Sequence, residues 1–349
     1  MKILIIKTSS MGDILHTFPA LTDAGRHCPG ISFDWVVEEA FADIPKWHPL
    51  VDRVIPVSWR RIRKNILSRE FIKSVLNFKK ALRERQYDYV IDAQSLIKSA
   101  MIGWFARGTY CGYTVSSSRE SLASLFYQKR FKAPLVKEVH AIVRLRTLFS
   151  SVLGYPYSID DKLEYDIHVE PEYHSKEHKP YVLLLHGTTW ETKHWPERYW
   201  MALSKKIMDE NVRVKLLWGN EREKARALRI AEGLAEVEVM PKMTLRQVAV
   251  LLAGASAAVA VDTGFAHLSA ALATPTVSLY GPTDPHLTGA QGKNQVHMRS
   301  GFACSPCLSD ICRFKKMPSA EQAHPPCFIE ITPERVFEKV MKIMRQKNA

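Results

Sequence analysis

The stretch Ala257-Ala258-Val259-Ala260-Val261-Asp262-Thr263-Gly264-Phe265-Ala266-His267 is an apolar run that stops at a carboxylate, a hydroxyl and a glycine before a helical pattern begins. A short continuous apolar run suits a strand buried on both faces of a parallel sheet. Asp262 and Thr263 are good residues for a helix start, and Gly264 lets backbone approach a ligand closely. The same strand-to-helix succession recurs on both sides. Strands are expected at 181–185, 212–217, 237–239, 257–261 and 276–279. Helices are expected between them, at 197–209, 221–233, 245–253 and 265–273. Strands alternating with helices make a doubly wound α/β domain, in which ligands bind where strands end and helix N-termini begin.

The first half carries the same alternation. Residues 3–6, 33–37, 54–57 and 89–91 read as strands, and Ile14, Phe18 and Leu21 have helical spacing. Phe71, Val75, Phe78 and Leu82 share one helix face, and a further helical run follows over 96–105. Residues 168–180, HVEPEYHSKEHKP, are polar and bracketed by prolines, and mark a domain boundary. The expected division is an N-terminal domain over 1–170, a linker over 171–180, a second domain over 181–331, and a closing helix over 332–349 that returns to the N-terminal domain. His174 and His178 stand four apart but lack a third ligand, so they read as solvated linker residues.

The chain has 349 residues, 49 Lys and Arg against 36 Asp and Glu, and a net charge of +13. That excess favours anionic partners. Much of it is local: residues 59–85 hold Arg60, Arg61, Arg63, Lys64, Arg69, Lys73, Lys79, Lys80, Arg83 and Arg85 against Glu70 and Glu84. The cluster Arg60 to Lys64 precedes the helical pattern and reads as a loop that meets something negative. No apolar stretch has the length of a signal sequence or a membrane span, so a soluble cytoplasmic protein is expected.

No GxGxxG follows a strand, and Leu287 stands where the first glycine of a P-loop ending at Gly292-Lys293 belongs. Dehydrogenase and P-loop readings therefore lose their support. What stands at the strand ends is different. Lys7-Thr8-Ser9-Ser10-Met11-Gly12-Asp13 places a carboxylate in the first turn of the first helix. Asp13 there either complements the helix dipole or acts as a general base on a hydroxyl. Leu185-His186-Gly187-Thr188-Thr189, followed by Lys193-His194-Trp195-Pro196, sets hydroxyls, amides and an ammonium after a strand, a set that suits a diphosphate. Backbone amides of Thr263, Gly264 and Phe265 would point at an anion, with helix-dipole support of roughly 0.3–1 kcal/mol at an exposed site. Trp218 either lines a base pocket or packs.

Lys7 to Asp13, Asp92-Ala93-Gln94 with Lys98, His194-Trp195-Pro196, and Asp262-Thr263-Gly264 with His267 resemble glycosyltransferase family 9, the ADP-heptose:lipopolysaccharide heptosyltransferases. The likeness extends from Met1 to about Asn294. Residues 33–39, 119–127 and 280–285 are most similar to the branch called heptosyltransferase I, which adds the first heptose to Kdo. The resemblance implies the GT-B fold, two Rossmann-like domains facing a central cleft, and an inverting reaction that needs no metal for chemistry. It implies Asp13 as the base. Thr188, Thr189 and Lys193 would hold the diphosphate, Asp262 the heptose hydroxyls, and Thr263, Gly264 and His267 the phosphate surroundings. Glu223 would reach the ribose, with Trp218 and Met243 flanking the nucleoside. Lys7, Arg60, Arg61, Arg63, Lys64, Lys98 and Arg119 would meet the acceptor's carboxylates and phosphates.

The expected donor is ADP-heptose and the expected acceptor Kdo-lipid A, met by a monomer at the cytoplasmic face of the inner membrane. A second or later heptose is the nearest alternative. A nucleic-acid-binding protein with a zinc knuckle is a remote one, so no nucleic-acid partner is expected. A nucleotide-sugar sensor without turnover is a third. Cys304-x2-Cys307-x4-Cys312-x14-Cys327 departs from the heptosyltransferase I pattern and is closer to the tails of other family members. Its spacing suits either a structural zinc site or reduced packing cysteines.

Overall fold

A computed structural model describes residues 1–58, 69–169, 179–314 and 324–348. The chain divides into two compact units, Met1–His168 and Val169–Ala349. The expected linker falls almost wholly outside the described residues, as do Arg60, Arg61, Arg63, Lys64, His174 and His178.

In unit 1 the elements are β1 (Lys2–Ile6), α1 (Met11–Leu15), α2 (Phe18–His27), β2 (Ser32–Glu38), β3 (Val51–Val57), α3 (Arg69–Arg83), β4 (Gln86–Asp92), α4 (Ile97–Gly103), β5 (Arg107–Tyr113), β6 (Lys129–Phe131) and α5 (Ala141–Leu153). Six parallel strands run in the order β3-β2-β1-β4-β5-β6. Ile3 to Ile6 are fully buried, as expected for a central strand covered on both faces. The helical pattern of Ile14, Phe18 and Leu21 divides between two helices, because Pro19 begins a new one at α2. The stripe on α3 is only half used. Leu82 is buried, whereas Val75 is 39% exposed, because α3 packs on β3, the edge strand of the sheet.

Unit 2 repeats the plan with β7 (Tyr181–Leu185), α6 (Glu197–Asp209), β8 (Arg213–Leu216), α7 (Glu221–Ala231), β9 (Val237–Val239), α8 (Leu245–Gly254), β10 (Ala257–Val261), α9 (Gly264–Ala271), β11 (Thr276–Tyr280), α10 (Pro285–Thr288), β12 (Gln295–Arg299) and α11 (Pro333–Asn348). Its six parallel strands run β12-β11-β10-β7-β8-β9. Counted from its own first strand, each unit has the Rossmann order 3-2-1-4-5-6, the pair of doubly wound sheets expected of the GT-B class.

The closing helix belongs to the core of unit 2. Val336, Val340, Ile343 and Met344 of α11 are buried in one cluster with Trp195, Trp200, Leu203 and Ile207, so α11 completes the core of unit 2. Its apolar stripe fits the face that α6 leaves open, and Trp195 Nε1 ties the approach to it by donating to the Ile331 carbonyl at 2.9 Å.

Candidate active site

In sheets of this order the crevice opens at the carboxyl ends of the two strands where the winding reverses. In unit 1 these are β1 and β4, with Ile6 opposite Asp92. Lys7 follows β1 and is 3% exposed. Burying an ammonium is costly unless it is paired. Lys7 Nζ donates to the Ala93 carbonyl at 3.0 Å and stands 3.5 Å from Asp13 Oδ1. Arg119 Nη1 approaches the same oxygen at 3.6 Å. The other oxygen, Oδ2, accepts from the Ser10 backbone N–H at 3.2 Å and the Ser10 hydroxyl at 3.3 Å. One oxygen of Asp13 thus holds the start of α1, and the other faces two cations.

Burial alone would raise the Asp13 pKa, but the charges of Lys7 and Arg119 and the hydrogen bonds from Ser10 and Lys7 together hold it below the ordinary carboxylate value. Lys7 moves downward as well, because burial outweighs the attraction of Asp13. The β4 end is rigidly built. Asp92 accepts from the backbone of Gln94 and Ser95 and from the hydroxyls of Ser99 and Tyr127. Burial still pushes its pKa up. Gln94 Oε1 in turn accepts from Thr8 N at 3.2 Å, and the Arg119 backbone donates to Ser95 Oγ at 3.1 Å. The turn after β4 thus fixes both the β1 loop and the segment carrying Arg119.

In unit 2 the corresponding strands are β7 and β10, with Leu185 opposite Ala260. Lys193 ends the short turn Glu191–Lys193, and its ammonium lies 2.8 Å from Asp262 Oδ2 and 4.3 Å from the centre of the Trp190 ring. Thr188 Oγ1 donates to the Asp262 carbonyl at 3.1 Å, joining the two strand ends. Thr263 is the extended residue before α9, and its side chain does not cap the helix. The first amides of α9 are left available to an anion, which the helix dipole also favours. His267 is buried one turn into the same helix.

Beside this centre, Trp218 Nε1 donates to the Met240 carbonyl at 2.6 Å and the ring carries Lys224 Nζ at 5.1 Å. Glu223 accepts from Gly219 N at 2.7 Å, and a Cβ on Gly187 would stand 2.8 Å from the Glu223 carboxyl carbon. Gly187 therefore keeps room for the carboxylate between the ends of β7 and β8. Met243 is half-buried and Thr189 exposed in the surrounding loops. Sequence reasoning missed Trp190, Gly187 and Ser95. Gly187 sits inside the quoted strand-end segment and Trp190 just after it; Ser95 gave no signal, because its role is a hydrogen bond to a distant segment.

Lys98 is exposed in the first turn of α4. Cys304, Cys307, Cys312 and Cys327 line one cavity in unit 2, none of them in a disulfide. Among the described residues, no three His, Cys, Asp or Glu side chains already form a metal-holding group.

The profile of glycosyltransferase family 9 (heptosyltransferase) matches residues 75–318. Lipopolysaccharide heptosyltransferase 1 of Pseudomonas aeruginosa is 47% identical over 345 residues, covering 96% of each chain. The chain belongs to glycosyltransferase family 9. The solved E. coli heptosyltransferase WaaC with ADP is 48% identical, covers 86% of this chain and 93% of its own, and superposes with a TM-score of 0.82. Lipopolysaccharide heptosyltransferase 2 of E. coli is 28% identical over 163 residues, 45% of this chain and 44% of its own. Within family 9 the likeness therefore runs to the heptosyltransferase 1 branch at nearly full length. Both doubly wound sheets and the glycosyltransferase class agree with the sequence reading.

Proposed function

We propose that this glycosyltransferase moves L-glycero-D-manno-heptose from ADP-heptose to Kdo of Kdo-lipid A, with inversion at the anomeric carbon. The observation that carries the reading is the chemistry at the two switch points: a carboxylate with a cation pair in unit 1, and a lysine with free helix amides in unit 2. The acceptor hydroxyl oxygen attacks the anomeric carbon, its proton passes to Asp13, and the bond from that carbon to the diphosphate oxygen breaks. Lys193, the hydroxyls of Thr188 and Thr189 and the amides at Thr263, Gly264 and Phe265 take up the negative charge of the departing ADP. Asp262 orients Lys193 and reaches the heptose hydroxyls. Trp218, Met243 and Glu223 receive the nucleoside, and His267 supports the phosphate end.

Lys7 and Arg119 draw an acceptor carboxylate towards Asp13. Once that carboxylate shares their charge, Asp13 becomes a stronger base than it is with the site open. A lipid acceptor also calls for a membrane-facing surface. No helix among the described residues is long and apolar enough to cross a membrane. Met101, Trp104 and Phe105 are exposed at the end of α4, as are Leu122 and Leu125 in the turn packed against it. Lys79 lies 5.2 Å from the Phe105 ring. Exposed aromatic and aliphatic groups beside ammonium groups support peripheral attachment to an anionic bilayer.

Incubation with ADP-heptose and Kdo-lipid A, read by mass spectrometry, should give heptosyl-Kdo-lipid A and ADP. Asp13→Ala, with its fold checked by circular dichroism, should lower kcat by about 10²–10⁴-fold. Turnover retained in the folded variant removes Asp13 as the base. Product formed only on an acceptor that already carries heptose overturns the acceptor assignment.

A further inference from the structure

Between β12 and α11 the chain runs through residues 300–332. Its described parts contain no strand and no α-helix, only the short turn Pro326–Phe328. A stretch of that length inside a compact unit needs something other than regular secondary structure to hold it. The outgoing limb carries Cys304, Cys307 and Cys312, and the returning limb carries Cys327. All four line one cavity of about 80 Å³, together with Thr192, Gly281 and Pro282.

The walls of that cavity are firm. Leu308 N donates to the Pro282 carbonyl at 2.9 Å, and Ser305 Oγ to the Gly281 carbonyl at 2.6 Å. A Cβ on Gly281 would stand 2.8 Å from Cys327 Sγ, so the backbone itself closes that side. Four thiols lining one cavity are the donor set of a soft cation, which binds them as thiolates. Among the described residues these side chains do not already form a metal-holding group.

One further bond gives the cavity a consequence. Thr192 Oγ1, 3% exposed with its residue, donates to the Ser309 carbonyl at 2.7 Å. Thr192 immediately precedes Lys193 in the turn Glu191–Lys193. The outgoing cysteine limb therefore buttresses the turn that carries the lysine paired with Asp262.

We propose that Cys304, Cys307, Cys312 and Cys327 bind one zinc or iron ion as thiolates, and that this ion, through the Ser309–Thr192 contact, sets the position of Lys193. Binding of a divalent ion to four thiols releases four protons and changes no oxidation state. The first half stands on the cysteine cavity alone; the second rests on the diphosphate role of Lys193.

The full chain, purified under reducing conditions and reconstituted with Zn²⁺ or Fe²⁺, should hold about one metal per chain by elemental analysis, as four thiolates complete one tetrahedral site. Ferrous iron would add a near-ultraviolet thiolate-to-metal absorption that zinc lacks, which separates the two. Cys307→Ser with Cys312→Ser should lose the metal. In the wild type, chelation should make four further thiols reactive towards a cysteine reagent, a readout independent of whether the variant folds. Protein that takes up neither metal, with thiol reactivity unchanged by chelator, overturns the site.

For the second half, Thr192→Val should keep the metal and weaken ADP binding by roughly fivefold in calorimetry, the effect of one lost buried hydrogen bond. Chelated wild type should show a similar loss. Metal-free protein that binds ADP as tightly as loaded protein overturns the coupling. Unchanged ADP binding in Lys193→Ala overturns the diphosphate role of that lysine instead, and leaves the metal site standing.

Discussion

The two switch points are built on the same strand order and carry opposite charge logic. At the end of β1 a single carboxylate, Asp13, is flanked by two cations, Lys7 and Arg119. At the end of β7 a single ammonium, Lys193, is matched one to one by Asp262 and then backed by a helix N-terminus. The first arrangement leaves a positive charge for an incoming anion while keeping a proton acceptor in reach. The second is neutral between its side chains, so its pull on an anion comes from backbone amides and from whatever share of Lys193 the anion wins from Asp262. The two strand ends thus differ in which partner is in excess, on scaffolds that are otherwise repeats; in the proposed reaction the first would serve base chemistry and the second the leaving group.

On the unit 2 side the largest break in that symmetry should come from Lys193→Ala. The variant removes the charge proposed to meet the departing diphosphate and leaves Asp262, 10% exposed in its side chain, without its cation. Loss of one such preorganised group lowers kcat by about 10²–10³-fold. Steady-state kinetics with saturating donor tests this. A fall confined to KM would mean that Lys193 binds donor and transition state equally, and would make unit 2 a holding site only.

How much of this was legible depends on burial. Central strands such as β1, β7 and β10 are covered on both faces and read as unbroken apolar runs. The edge strands β6 and β12, KRF and QVHMR, carry charged or polar residues because one side of each has no neighbour, and the apolar pattern passes over them. Helix α5 escaped for the opposite reason. Arg144 and Arg146 lie buried within its apolar stripe, and Arg146 is held by Asp23 at 2.6 Å. In the site, Asp13, Lys193 and Asp262 were legible because each stands next to a strand end. The contact of Arg119 with Asp13 was not, since the Ser95 turn brings it in from far along the chain.

A second test separates the units by acid. His48 in unit 1 and His186 in unit 2 are both fully buried, and burial lowers each pKa to about 4. At His48, Leu50 N donates to Nδ1 at 3.3 Å and Nε2 meets Thr22 Oγ1 at 3.1 Å, a pattern that requires the neutral ring. A histidine with a lowered folded pKa stabilises the fold fully above about pH 6.5 and loses that contribution as pH falls, because the unfolded chain takes up the proton first. By pH 4 the loss is roughly 3 kcal/mol for each group. Urea unfolding of wild type at pH 7 and pH 4.5, beside His48→Gln and His186→Gln, should show a smaller pH effect in each variant. Variants as acid-sensitive as wild type would place the acid response elsewhere.

The smallest effect is the most specific to the comparison. Arg119 is 38% exposed in its side chain and contacts only one oxygen of Asp13, so Arg119→Ala should raise the acceptor KM by about tenfold, the scale of one exposed charge-assisted contact. It should also move the acid limb of the kcat/KM profile. Asp13 must be deprotonated to accept a proton, and Arg119 is among the groups holding its pKa down. Without that cation the pKa rises, and activity falls away at a higher pH than in the wild type. Arg119→Lys keeps the charge and should leave the limb where it was. Lys193→Ala should leave it there too, because that charge belongs to the other switch point. If Arg119→Ala does not move the limb while Lys193→Ala does, the division of labour drawn from the two strand ends is the wrong way round, and the proton acceptor must be sought beside β7.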